Sequence, residues 1–182
     1  MRFLLGVIVG VALVAHGLFA YLRFGNLPVA TADQPFPMER AITHSALDAR
    51  IEKELVKTPP IAANDATFQA GASVYRQQCA SCHGMPGKDS AFAKYMFPRA
   101  PQLFVKHHDE DVVGVSDDPP GETYWKVANG IRLTGMPAYK NVLSETEMWQ
   151  VSQLLANADK LPADVTAALQ PTPAVSATPA TP

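Results

Sequence analysis

Cys79 and Cys82 are the only cysteines in the 182-residue chain, and they stand in the run Cys-Ala-Ser-Cys-His, with Met85 two positions past His83. Three chemistries use parts of such a run: a redox dithiol, half of a zinc site, and covalent attachment of a haem. A redox dithiol wants its first thiol at a helix N-terminus, where the dipole lowers the thiol pKa, usually just after a strand. Here Phe68, Gly71, Ala72, Tyr75, Cys79 and Cys82 recur at helical spacing, so the cysteines fall at the C-terminal end of an amphipathic helix. A structural zinc site takes four ligands, as a rule from two spaced pairs. The chain has no second cysteine pair, and His107-His108 is an adjacent doublet. Cys-x-x-Cys-His is the spacing of c-type haem attachment: two thioethers grip one porphyrin edge, and the next imidazole meets the iron from the same side. Cys79 and Cys82 are therefore read as covalent tethers of one haem c and His83 as an axial iron ligand.

A haem that only transfers electrons takes a sixth ligand from its other face, and methionine opposite histidine raises the potential. Met85 is too near His83 in sequence to cross the porphyrin plane. Met96 lies in a loop within reach, and Met148 falls on the apolar face of a helix, where core packing is expected. Met136 is best placed, in the glycine- and proline-bounded loop RLTGMPAYKNV ahead of the last helix. It is the expected sixth ligand. His107 and His108 are the runners-up and otherwise read as solvated loop residues.

The elements that must position these residues all read as helices. One is capped by Asn64 or Asp65 and runs to the cysteines, where Gly84, Pro86 and Gly87 break it. Residues 88–121 read as loop with short helical pieces. A further helix covers GETYWKVANGI, ending near Gly130, and another covers LSETEMWQVSQLLANADK, with Ser144 and Glu147 as a capping box. Met38 to Lys57 has helical periodicity, is stopped by Pro59-Pro60, and carries no evident chemistry. With no strand-like alternation the fold class is all-α.

The ends differ from the middle. Phe3 to Leu22 holds no Asp, Glu, Lys or Arg, and about 20 apolar residues suffice to cross a bilayer. A cleaved signal has a shorter apolar region, about 7–15 residues, with a small-residue site close behind. Here the first tidy triplet, Ala30-Thr31-Ala32, lies well past the run, which favours an uncleaved anchor. The expected organisation is a transmembrane anchor over 1–23, a spacer and juxtamembrane helix over 24–63, a haem domain over 64–163, and a disordered Pro/Ala/Thr-rich tail over 164–182. A net charge of −2 argues against nucleic acid as a partner. The acidic groups Asp109–Asp111 and Asp117-Asp118 read as solvated loop.

The segments GASVYRQQCASCHG and NGIRLTGMPAY, followed by a helix containing EMWQVSQLL, resemble the class I monohaem cytochromes c of the membrane-anchored bacterial kind, over roughly residues 64 to 160. The resemblance implies three main helices around one covalent haem, the first and last crossing, with Gly71 and Tyr75 meeting Trp149. It also implies that Pro101, in APQL, accepts the second N–H of His83 and that Leu103 lines the haem, Pro98 being the alternative acceptor. Arg99 and Trp125 are candidate partners of haem propionates, the equal alternative being a solvated Arg99 and a Trp125 that only packs.

Bacterial attachment of haem c takes place outside the cytoplasm, so the resemblance implies a single pass through the inner membrane with the haem domain on the periplasmic side. The expected function is one-electron transport between membrane-bound or periplasmic redox proteins, without enzymatic activity, since six-coordinate iron leaves no open position. An electron-entry subunit of a respiratory or dehydrogenase complex is the main alternative. A haem enzyme or sensor with a displaceable methionine is another.

Overall fold

Seven helices form among residues 1–106 and 112–170, the part of the chain that the computed structural model describes: α1 (Arg2–Phe24), α2 (Glu39–Glu54), α3 (Asp65–Gln78), α4 (Ala80–His83), α5 (Pro120–Asn129), α6 (Glu145–Leu155) and α7 (Ala163–Ala168). No strand forms among the described residues. Two isolated bridges, Met85 with Lys88 and Lys106 with Val113, pin loops. The all-α class read from the sequence is the observed one. His107, His108 and Asp109–Asp111 lie outside the described residues, as does the tail beyond Gln170.

The chain divides into two compact units, Met1–Thr43 and His44 onward. In the first, α1 buries no residue, and its mean hydropathy of 2.4 makes it the one described helix long and apolar enough to cross a membrane. Its 23 residues, at about 1.5 Å each, exceed the roughly 30 Å of hydrocarbon in a bilayer. The spacer that follows is folded locally: Asp33 Oδ2 accepts the backbone N–H groups of Val29 and Ala30, both at 2.9 Å.

The second unit is built on α3 and α6. Asn64 caps α3 by accepting the Thr67 N–H at 3.0 Å, and α6 carries the complete Ser144–Glu147 capping box. Phe68, Ala72 and Tyr75 of α3 and Val151, Leu154 and Leu155 of α6 form the apolar interior between them. Each large aliphatic side chain so buried contributes on the order of 1.5–3 kcal/mol.

Three features differ from expectation. Opposite Gly71 stand Gln150 and Leu154 rather than Trp149. Adjacent residues point about 100° apart around a helix, and the Trp149 ring turns instead to α5, stacking on Tyr124 at 4.1 Å and 9°. Tyr75 meets Phe104 edge-on, centroids 5.0 Å apart. The helix that carries the cysteines is not continuous: α3 ends at Gln78 and a single further turn, α4, follows. The last difference is α7, which occupies residues expected to be tail. Six residues after a proline give no legible periodicity, yet Val165 and Leu169 are fully buried, and Arg76 of α3 donates to Ala168 O at 3.2 Å.

Candidate functional site

The α4 turn closes through the N–H groups of Cys82 and His83, which donate to Cys79 O at 3.1 and 2.9 Å. This single turn gathers both thiols and the imidazole. Four side chains then grip the carbonyls along it. Tyr139 Oη donates to Gln78 O at 2.8 Å, Ser90 Oγ to Ser81 O at 2.7 Å, Tyr75 Oη to Gly84 O at 2.9 Å, and Gln102 Nε2 to Met85 O at 2.7 Å. The grips come from α3, from the loops after α4 and from the stretch before α6, so the cysteine run is fixed from several sides.

His83 Nδ1 lies 2.7 Å from Pro101 O. A carbonyl only accepts, so Nδ1 carries the proton and Nε2 keeps its lone pair free. Burial lowers the pKa of His83, outweighing the opposite pull of the Pro101 bond, and favours the neutral ring that a metal needs. The acceptor is Pro101, not Pro98, and Leu103 two residues on is buried in the core.

The other two residues expected at the pocket have partners within the chain. Arg99 is exposed, with its guanidinium 3.8 Å from Asp89, and Trp125 donates its indole N–H to Glu54 at 2.9 Å. An indole has one N–H, and here a carboxylate of α2 takes it, so Trp125 offers no donor to a propionate.

Met136 sits half-buried against the apolar core. Its N–H donates to Thr134 Oγ1 at 3.1 Å, while the Thr134 hydroxyl donates to Ile131 O at 2.7 Å and the Ile131 N–H donates to Met136 O at 3.3 Å. The loop is thus a small closed ring. It hangs from Gly130, which ends α5 at φ 66°, a conformation glycine adopts without strain. The Met96 methyl rests on Gly135 in the same loop, and Met148 is core, as its helix face predicts. The grips from Tyr75 and Tyr139 were missed in sequence, because a tyrosine hydroxyl's partner depends on long-range packing.

A redox dithiol fits poorly. Burial, with Cys82 as a lesser cause, pushes the Cys79 thiol up to about 12, so it is protonated and unreactive near neutrality. Among the described residues no group of three or more His, Cys, Asp or Glu could hold a metal ion. Two adjacent unpaired cysteines, a neutral imidazole with free Nε2 and a thioether in a closed loop do suit a covalent haem.

Residues 66–155 match the family model described as cytochrome C oxidase, cbb3-type, subunit III, and no curated protein matches the chain. The matched stretch runs from α3 to the end of α6 and takes in both the cysteine turn and the Met136 loop. Residues 66–155 thus form a cytochrome c domain, of the kind that binds haem and transfers electrons, and a helix long and apolar enough to cross a membrane precedes it.

Proposed function

We propose that this protein is a one-electron carrier tethered to the inner membrane with its haem domain in the periplasm. Cys79 and Cys82 would hold a single haem c as thioethers, and His83 and Met136 would be the protein ligands of its iron. When bound, the group supplies reversible one-electron chemistry. The residues do the rest. Pro101 O fixes the tautomer and plane of His83, Met136 as a ligand would favour the reduced state, and Leu103, Phe104 and Tyr75 keep water from the interior. Were both iron ligands supplied by the protein, no open position would be left for a substrate, so the role we propose is transport rather than catalysis, between membrane-bound or periplasmic redox proteins.

The observation that carries this reading is the 2.7 Å approach of His83 Nδ1 to Pro101 O, which leaves one ring nitrogen for a metal. The test is Met136→Ala in the haem-loaded protein. It is expected to remove the methionine-to-iron charge-transfer band of the oxidised form and to lower the potential. A band that survives overturns the assignment. Carbon monoxide binding to the reduced wild type would point instead to an enzyme or sensor.

The description of the matched family favours a second reading, in which the same chemistry serves as a fixed subunit of a respiratory oxidase. Stable co-purification from detergent with a large membrane enzyme would support it over a free carrier.

A further inference from the structure

Past the end of α1 the chain turns its apolar side chains outward. Val29, Phe36, Met38 and Ile42 are 90%, 47%, 72% and 61% exposed. The nearby polar groups are engaged within the segment. Asp33 holds the N–H groups of Val29 and Ala30, Glu39 Oε2 accepts the Phe36 N–H at 2.8 Å, and Thr43 Oγ1 donates to Glu39 O at 2.9 Å. The result is a hydrogen-bonded turn with its greasy side out, the reverse of what water selects. Leu27, Pro28, Phe36, Glu39, Ile42 and Thr43 line an open cleft of about 300 Å³ on it.

Continuity with α1 says what covers this face. A helix that outlasts the hydrocarbon core delivers Phe24 to the level of the lipid headgroups, and Leu27 follows only three residues later. At no more than about 3.6 Å per residue, that is within roughly 11 Å. We propose that residues 27–42 form a membrane-surface foot, with Leu27, Val29, Phe36, Met38 and Ile42 seated in the headgroup–acyl boundary of the bilayer that α1 crosses. The inference rests on α1 spanning the membrane.

The test uses the full haem-loaded chain in phosphatidylcholine–phosphatidylglycerol vesicles whose lipids carry bromine at shallow or deep acyl positions. Phe36→Trp reports on the foot and Leu13→Trp on α1, each read against the wild-type emission and against vesicles without bromine. Shallow bromine is expected to quench the Phe36→Trp signal about twofold more than deep bromine, as an interfacial side chain requires. Adding Val29→Asp and Ile42→Asp should abolish that preference. If Leu13→Trp is quenched by deep bromine but Phe36→Trp by neither lipid, the foot is wrong while the span stands. Phe36→Trp emission that bromine and aqueous acrylamide both fail to quench assigns the face to a protein surface and overturns the proposal. An unquenched Leu13→Trp overturns both readings.

Discussion

The Trp125 indole N–H donates to Glu54 Oε2 at 2.9 Å, which fastens the end of α2 to α5. Arg50 holds the same carboxylate at 2.6 Å, and Ile51, one turn back, is buried. Removing the donor with Trp125→Phe keeps most of the ring's packing and should lower the thermal midpoint slightly. The reduction potential should stay at the wild-type value, because this N–H faces a carboxylate of the chain. A clear shift in potential on redox titration would show that Trp125 reaches the haem after all.

Acid should loosen the same region. The Trp125 bond first, and then Arg50, hold the Glu54 carboxyl below the ordinary glutamate value of 4.5. Ser144, through its hydroxyl and its backbone, does the same for Glu147. For both, the unfolded chain binds protons more readily than the folded one, so stability rises with pH across this window. The contribution is fully present above 4.5 and is lost as pH falls through the depressed folded values. Asp118, raised by burial, works in the opposite sense. Melting curves across this range should therefore show a smaller acid-induced drop for Glu54→Gln with Glu147→Gln than for wild type. Equal slopes would remove these two groups from the account.

Legibility in the sequence followed the range of the physics. Helix starts set by local hydrogen bonds were readable: Asn64 and the Ser144–Glu147 box act where their residue types say. The Cys79, Cys82 and His83 run stood out in the sequence by its spacing, though the helix break before it did not, and the Met136 loop was readable as a loop because glycine and proline bound it. The Glu54–Trp125 bond joins residues far apart in sequence, and α7 is ordered by burying Val165 and Leu169 rather than by its own propensity. Neither leaves a local mark. The partner of Gly71 was misplaced by one residue, an error of one helical step that sequence periodicity does not resolve.

That step makes its own prediction. A methyl group at Gly71 would lie 2.8 Å from the Gln150 carbonyl carbon and 3.1 Å from Leu154 Cβ. The nearest obstacle is backbone, which has no rotamer to change, so α3 and α6 would have to part. Overpacking of this kind costs about 1–3 kcal/mol. Denaturant unfolding of Gly71→Ala should show a loss in that range, with Gly71→Val losing more. A loss within error of zero would mean the two helices slide apart freely.

Gly130 would couple stability to the proposed iron site. At φ 66° a side chain is strained wherever it points, and its Cβ would meet Pro137 C at 2.7 Å and both Ala138 N and Met136 O at 2.8 Å. Left-handed backbone costs a non-glycine residue roughly 1–2 kcal/mol. The contacts add to that, and all three lie in the stretch that begins with Met136. The simplest relief is movement of the ring formed by Ile131, Thr134 and Met136, which would carry the thioether off its line to the iron. Gly130→Ala should therefore weaken or abolish the methionine-to-iron charge-transfer band and lower the potential. Haem staining on a denaturing gel should stay at the wild-type level, since Cys79 and Cys82 are untouched. Should Gly130→Ala lose stability yet keep the band and the potential, the glycine serves the fold alone, and the loop that presents Met136 is held by its own hydrogen bonds.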